Sequence, residues 1–186
     1  MSAAQRLARY EDLFALPDNI VGEIIARQLH TRPRPAPAHA QASSGLGADL
    51  KQPFDRGTGG PGGWWILDEP ELHLGADILV PDIAGWRRER MPKLPSTAWF
   101  ELAPDWVCEV LSPGTAKVDR ALKMPLYAAA GVGHCWLVDP DARILEGYAL
   151  QADGHWLLLG TWSDQDRAAI DPFAAITLDL AGLWVD

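Results

Sequence analysis

The residue that most restricts how this chain can fold is Glu109, set inside the apolar run Trp106-Val107-Cys108-Glu109-Val110-Leu111. The β-branched and aromatic content of that run reads as a strand buried on at least one face. A carboxylate lodged there loses hydration free energy, so it needs a hydrogen-bonding partner, a shifted pKa or a cation. A second acid, Asp82, ends a comparable run, Ile78-Leu79-Val80-Pro81-Asp82. Two such acids on neighbouring strands would suit Mg²⁺, which takes oxygen ligands, keeps several waters and is held by one or two carboxylates plus substrate phosphate oxygens. Each acid also has a plainer explanation. Pro81-Asp82 can be a turn at a strand end, and Glu109 can be a buried acid paired by an arginine, with Arg120 as the candidate partner.

At 186 residues, with 48% of them hydrophobic and nine tryptophans, the chain suffices for one domain with a sizeable core and needs no covalent staples. The single domain is expected to run over residues 1–186, with an N-terminal helical segment at 1–16 and a Pro/Gly-rich segment containing a helix at 31–63. The opening Met1-Ser2-Ala3-Ala4-Gln5-Arg6 lacks an apolar stretch of signal-peptide length, and no run approaches the roughly 18 to 20 apolar residues that span a bilayer. A cytoplasmic protein without membrane segments is the expectation. Cys108 and Cys135, each in an apolar setting, read as small buried hydrophobes rather than a disulfide or metal pair. The formal net charge of −9 argues against nucleic acid as a partner, since phosphate neutralisation drives that binding. Its distribution softens the point: residues 125–186 carry nine acids against Arg143 and Arg167, so the part holding both carboxylates is nearly neutral.

Along the chain, Tyr10 to Leu16 reads as helix and stops at Pro17. Ile20 to Leu29 fits either a helix stripe (Val21, Ile25, Leu29) or β structure, and periodicity does not separate the two. Alternating prolines from Arg32 to Pro37 exclude regular helix, Ala38 to Leu50 reads as a helix rich in small residues, and Gly57 to Gly63 as a flexible loop. Trp64 to Leu67 and Ile78 to Val80 read as strands, joined by a loop or a short extra strand at Leu72 to Leu74; Trp86 to Pro95 reads as a polar connection. Trp106 to Leu111, a helical segment from Thr115 to Ala130 broken at Pro125, and Cys135 to Val138 form a strand, helix, strand order that implies a parallel pairing. Ile144 to Leu150 and His155 to Trp162 form a hairpin around Asp153-Gly154, and Ile176 to Trp184 closes the chain as a strand or short helix. The fold class is therefore α/β (α+β), with a mixed sheet.

An acid after proline at a strand end, followed by an acid inside the next strand, resembles the PD-(D/E)XK nuclease superfamily. Together, VPDIAGWRRER, PDWVCEVLSPGT and DRALKMPLYAAAGVGHCWLVDP resemble more closely the Uma-type family of restriction endonucleases, a domain of unknown function. The resemblance runs from about Ala15 to Trp184. It implies a restriction-endonuclease-like core, with a mixed central β-sheet flanked by helices and an added C-terminal β-hairpin. Ile20 to Leu29 then becomes strand, turn and strand. It also implies that Asp82 and Glu109 bind the metal, Mg²⁺ or Mn²⁺, and that Glu23 completes the site. The superfamily's lysine two residues after the glutamate is absent, since Leu111 stands there, and the resemblance assigns its part to Lys123 on the following helix. Asp119, Lys123 and Tyr127, at i, i+4 and i+8, would form one polar stripe, although Pro125 makes the aim of Lys123 depend on how the helix restarts.

The activity implied is hydrolysis of DNA phosphodiester bonds by metal-activated water, in a homodimer able to cut both strands. The alternative is a catalytically inactive nuclease-fold module for binding or assembly. His39, near the start of the small-residue helix, matches a histidine often found in the resembled family. Arg87, Arg88, Arg90 and Lys93 form the densest basic cluster and read either as a track for a nucleic-acid backbone or as a solvated loop. The five histidines lack ligand-like spacing for zinc, and the GTGGPGG stretch lacks the lysine and helix of a phosphate-cradling loop.

Overall fold

The computed structural model describes residues 6–185. Its centre is a six-stranded mixed sheet in the order β10-β9-β8-β7-β6-β3, built from β3 (Trp64–Asp68), β6 (Ile83–Arg87), β7 (Trp106–Val110), β8 (His134–Asp139), β9 (Ile144–Leu150) and β10 (Trp156–Ser163). β7 and β8 run parallel and the remaining neighbours antiparallel, as the strand, helix, strand order requires. The β9–β10 hairpin, the expected addition, extends the sheet at its edge. A second, smaller sheet in the order β2-β1-β5-β4 contains β1 (Ile20–Ile25), β2 (Gln28–Pro33), β4 (Leu72–Leu74) and β5 (Asp77–Leu79). A short ribbon of β11 (Arg167–Ala168) and β12 (Leu178–Asp179) lies near the C-terminus.

The helices cover opposite faces of the central sheet. On one, α1 (Pro37–Leu50) packs Ala42, Leu46 and Leu50 against Trp106, Cys108 and Val110 of β7 and the rings of Trp64, Trp136 and Phe173. On the other, Met124 and Tyr127 of α3 (Met124–Ala129) pack with Val107, Leu111, Cys135 and Leu137. Both faces of β7 are thus covered, and every residue from Trp106 to Val110 is buried. Side chains alternate along a strand, so Glu109 shares the α3 face with Val107 and Leu111. Cys108 and Cys135 are free, buried thiols.

Several elements differ from the sequence-based expectation. The N-terminal helical segment is a 3₁₀ helix, Tyr10–Ala15. The expected polar connection beginning at Trp86 starts too early, since β6 continues to Arg87. β6 is a central strand, and Gly85 there leaves room for the Trp64 and Trp106 rings; a Cβ would sit 3.3 Å from a carbon of each. The Ile20 to Leu29 region, which periodicity leaves open, is by contrast the strand, turn and strand that the resemblance implies, a hairpin whose two-residue turn, Ala26-Arg27, has φ of 49° and 62°. Both residues at positive φ make it a type I′ turn, which asparagine and glycine normally favour, and Asp77 Oδ1 anchors it through the Ala26 N–H at 2.7 Å. The segment after β7 runs as α2 (Ala116–Val118), a π turn over Asp119–Lys123, and α3. Pro125 falls in the first turn of α3, where its missing N–H costs nothing.

Candidate active site

The two sheets meet at Val80-Pro81-Asp82, which leads from β5 of the small sheet into β6 of the large one. Asp82 therefore precedes β6 rather than ending a strand paired with β7, and β6 itself supplies that pairing, with Ile83 opposite Cys108. The consequence is direct contact between the acids' supports: Asp82 Oδ2 accepts the Val110 N–H at 2.7 Å, from the residue next to Glu109. His39, on the first turn of α1, brings Nε2 to 3.3 Å of the same oxygen. Asp82 Oδ1 is buried and accepts no hydrogen bond, and His39 Nδ1 is likewise buried without a partner.

Lys123 is the hub of the site. Its Nζ lies 2.8 Å from Glu109 Oε1, 2.9 Å from Glu23 Oε1 and 3.8 Å from Asp119 Oδ1, with only 1% of its side chain exposed. The π turn and the restart at Pro125 deliver it to the face of β7 on which the superfamily's lysine would stand, where Leu111 is instead packed with Met124 and Tyr127. Tyr127 OH donates to Glu109 Oε1. Glu23, on β1, also accepts the Val80 N–H at 2.7 Å, tying the small sheet to the junction. Arg120, the candidate partner for Glu109, instead pairs with Glu146 at 2.6 Å near the surface.

Burial makes the charges expensive and sets their protonation. Glu109 is pushed well above the ordinary glutamate range, first by desolvation and then by the carboxylates of Asp119, Asp82 and Glu23, with Lys123 opposing. Desolvation also acts on Asp82, but the hydrogen bond and charge of His39, the charge of Arg32 and the Val110 N–H outweigh it and lower its pKa. Desolvation alone would neutralise Lys123, yet Glu109, Glu23 and Asp119 overcome it and raise the ammonium's pKa. The surrounding carboxylates thus favour the ammonium form of Lys123.

The donor set fits a hard divalent ion. Asp82 Oδ1 is a buried acceptor with no hydrogen bond, and Lys123 and Tyr127 both contact Oε1 of Glu109. Among the described residues no three His, Cys, Asp or Glu side chains form a ready ligand cluster, so protein would supply two carboxylates and water or phosphate the rest. A groove of about 420 Å³ opens onto Asp82, lined by His39, Ser43, Gly47 and Lys51 of the α1 side and its π-turn extension and by Glu69 opposite.

The basic cluster lies elsewhere. Arg87 sits over the Trp64 ring, Arg88 pairs with Asp55 at 2.6 Å and lies over Trp65, and Arg90 pairs with Asp105 at 2.9 Å, while Lys93 is exposed. A five-residue strand separates this cluster from Asp82, roughly 17 Å along β6. The structure thus brings Glu23, Asp82, Glu109 and Lys123 together and leaves Arg87, Arg88, Arg90 and Lys93 at the far end. Arg32, Asp119 and the hydroxyl of Tyr127 join the site without having been singled out as ligands or donors by sequence. Once β1–β2 is known as a hairpin, Arg32 becomes legible, because the register that sets Glu23 against His30 places Arg32 diagonal to Glu23.

A family profile described as "Putative restriction endonuclease", Uma2, matches residues 9–181. The chain belongs to the Uma2 family. The crystal structure of "a putative nuclease belonging to DUF820" from Anabaena variabilis ATCC 29413 superposes on it with a TM-score of 0.74 at 21% identity, over 93% of this chain and 95% of the other. That likeness establishes the nuclease fold. No curated protein matches the chain. Among the described residues, no helix is long and apolar enough to cross a membrane.

Proposed function

We propose that this Uma2-family protein is a Mg²⁺- or Mn²⁺-dependent endonuclease that hydrolyses DNA phosphodiester bonds. The observation that carries the reading is the convergence of Glu109, Glu23 and Asp119 on a buried Lys123, next to an Asp82 that is held by the Val110 N–H and whose Oδ1 has no hydrogen bond. Asp82 and Glu109 would hold the metal, which supplies an activated water and neutralises charge developing on the phosphate. Lys123, kept protonated by its carboxylate neighbours, orients the attacking water and stabilises charge. Glu23 fixes the ammonium at 2.9 Å, and Tyr127 fixes Glu109 from the helix side. Incubation of the purified protein with Mg²⁺ or Mn²⁺ and single-stranded, duplex and branched DNA tests this, with cleavage expected in wild type and abolished in Glu109→Ala. If wild type cuts none of them, or the variant cuts equally well, the nuclease reading falls.

A second reading, a nuclease fold used for binding or assembly, draws on the depth of the site, where Glu109 is 2% and Lys123 1% exposed. Titration calorimetry separates the two. Millimolar or tighter divalent binding that Asp82→Ala removes supports the enzyme, and absent metal binding with unchanged DNA affinity in that variant supports the module.

A further inference from the structure

Arg32, on β2, approaches Asp82 without satisfying it. Its Nη2 stands 3.5 Å from Asp82 Oδ1, 3.5 Å from Glu69 Oε1 and 3.4 Å from the Val80 carbonyl. Charge-assisted bonds are usually about 2.7–2.9 Å long, so all three contacts are loose, and all use one nitrogen of a five-donor fork. Lys123, by contrast, is clamped at 2.8 and 2.9 Å. The oxygen that Arg32 faces is the buried one with no hydrogen bond.

Glu69 offers the same nitrogen a second seat. Its N–H bonds the Asp82 carbonyl at 3.0 Å, its backbone is held at φ of 44°, and its side chain is 51% exposed at the mouth of the groove. A guanidinium stays charged in any accessible pH, so it cannot relieve repulsion from an incoming cation by losing a proton. It has to move, and Glu69 lies within reach without any rebuilding of β2.

We infer that Arg32 is a displaceable counter-ion: it neutralises Asp82 while the metal seat is empty, shifts toward Glu69 when a divalent ion takes Asp82 Oδ1, and there presents its fork to a substrate phosphate. This deepens the metal-dependent reading proposed above and rests on it. The planar fork suits two phosphate oxygens at once, which an ammonium at this position would not match.

Calorimetric titration of Mn²⁺ into the intact protein tests the inference, alongside DNA cleavage at saturating Mn²⁺. Arg32→Gln is expected to bind Mn²⁺ roughly tenfold tighter or more, because a unit charge about 4 Å away no longer competes, and yet to cleave more slowly. Arg32→Lys keeps the charge and loses the fork, so its metal affinity should stay near wild type while cleavage falls. A folding defect would weaken both properties together, whereas these variants move them apart. Equal or weaker Mn²⁺ binding by a folded Arg32→Gln overturns the counter-ion role, and undiminished cleavage by both variants overturns the phosphate contact. Wild-type protein that binds no Mn²⁺ overturns the metal reading itself.

Discussion

Glu109 and Asp82 are acids of one site driven in opposite directions by their surroundings. Burial and neighbouring carboxylates raise Glu109 against the opposing charge of Lys123, so the folded chain holds this proton to a higher pH than the unfolded chain does. The stability from this group is complete below the ordinary glutamate pKa and is lost as pH rises through the raised value. Asp82 is lowered despite its burial, through His39, Arg32 and the Val110 N–H, so its contribution is present above the ordinary aspartate value and lost as pH falls through the lowered one. The metal-free protein should therefore melt at falling temperatures as pH rises from about 5 to about 8, less steeply in Glu109→Gln, since Asp119 is raised as well and shares the effect. Added Mn²⁺ should restore stability most at the higher pH, where an ion replaces the missing proton. Thermal melts of wild type and variant across that range provide the check, and parallel profiles would show that Glu109 keeps no such proton. The acids themselves were legible in sequence because each interrupts an apolar run; Arg32 was not, because nothing local distinguishes it from a surface arginine.

At the scale of elements, the lysine that contacts Glu109 comes from the helical segment after β7 and not from β7 itself. Leu111 occupies the strand position, 3% exposed and packed with Met124 and Tyr127, and the α2–α3 segment brings Lys123 onto the same face of β7. Leu111→Lys would force a second amine into an apolar cluster beside Lys123, and should destabilise the protein by about 2–4 kcal/mol in chemical denaturation without raising cleavage. Undiminished stability would show that this face has room for another cation. The strands β7, β8, β9 and β10 could be read from their β-branched and aromatic runs and turn residues, whereas β6 could not. Ile83-Ala84-Gly85-Trp86 runs straight into Arg87 and Arg88, and its strand character depends on the partners β3 and β7 on either side. The β1–β2 hairpin was ambiguous for a related reason, since Ala26-Arg27 gives no turn signal and adopts positive φ only because Asp77 and the ladder hold it.

Over the whole molecule, β10 is an edge of the central sheet, and Trp156–Ser163 carries neither a charge nor a proline to discourage pairing. The bulge between Leu158 and Gly160 breaks the alternation, and Leu157, Leu158 and Leu159 are 50%, 48% and 38% exposed. In a chain of net charge −9, this uncharged strip is a surface where two copies can meet about a two-fold axis. As a prediction, self-association through this edge is expected, and Leu158→Lys should shift the protein to a monomer in light scattering with little change in melting temperature. Wild-type protein that is monomeric at tens of micromolar would count against this edge. The sequence by itself determined the mixed α/β class, the parallel β7–β8 pair, the terminal hairpin and the acidic pair, because apolar periodicity, turn chemistry and the cost of burying a carboxylate are local properties. Only the tertiary structure decided that Asp82 enters β6, that Lys123 reaches the Glu109 and Glu23 carboxylates from a π turn, as the resemblance implies but no local pattern shows, that Arg32 stands beside Asp82 and that the arginines after β6 lie far away. Those outcomes are contacts between residues distant in sequence, and they depend on how two sheets join at Val80-Pro81-Asp82.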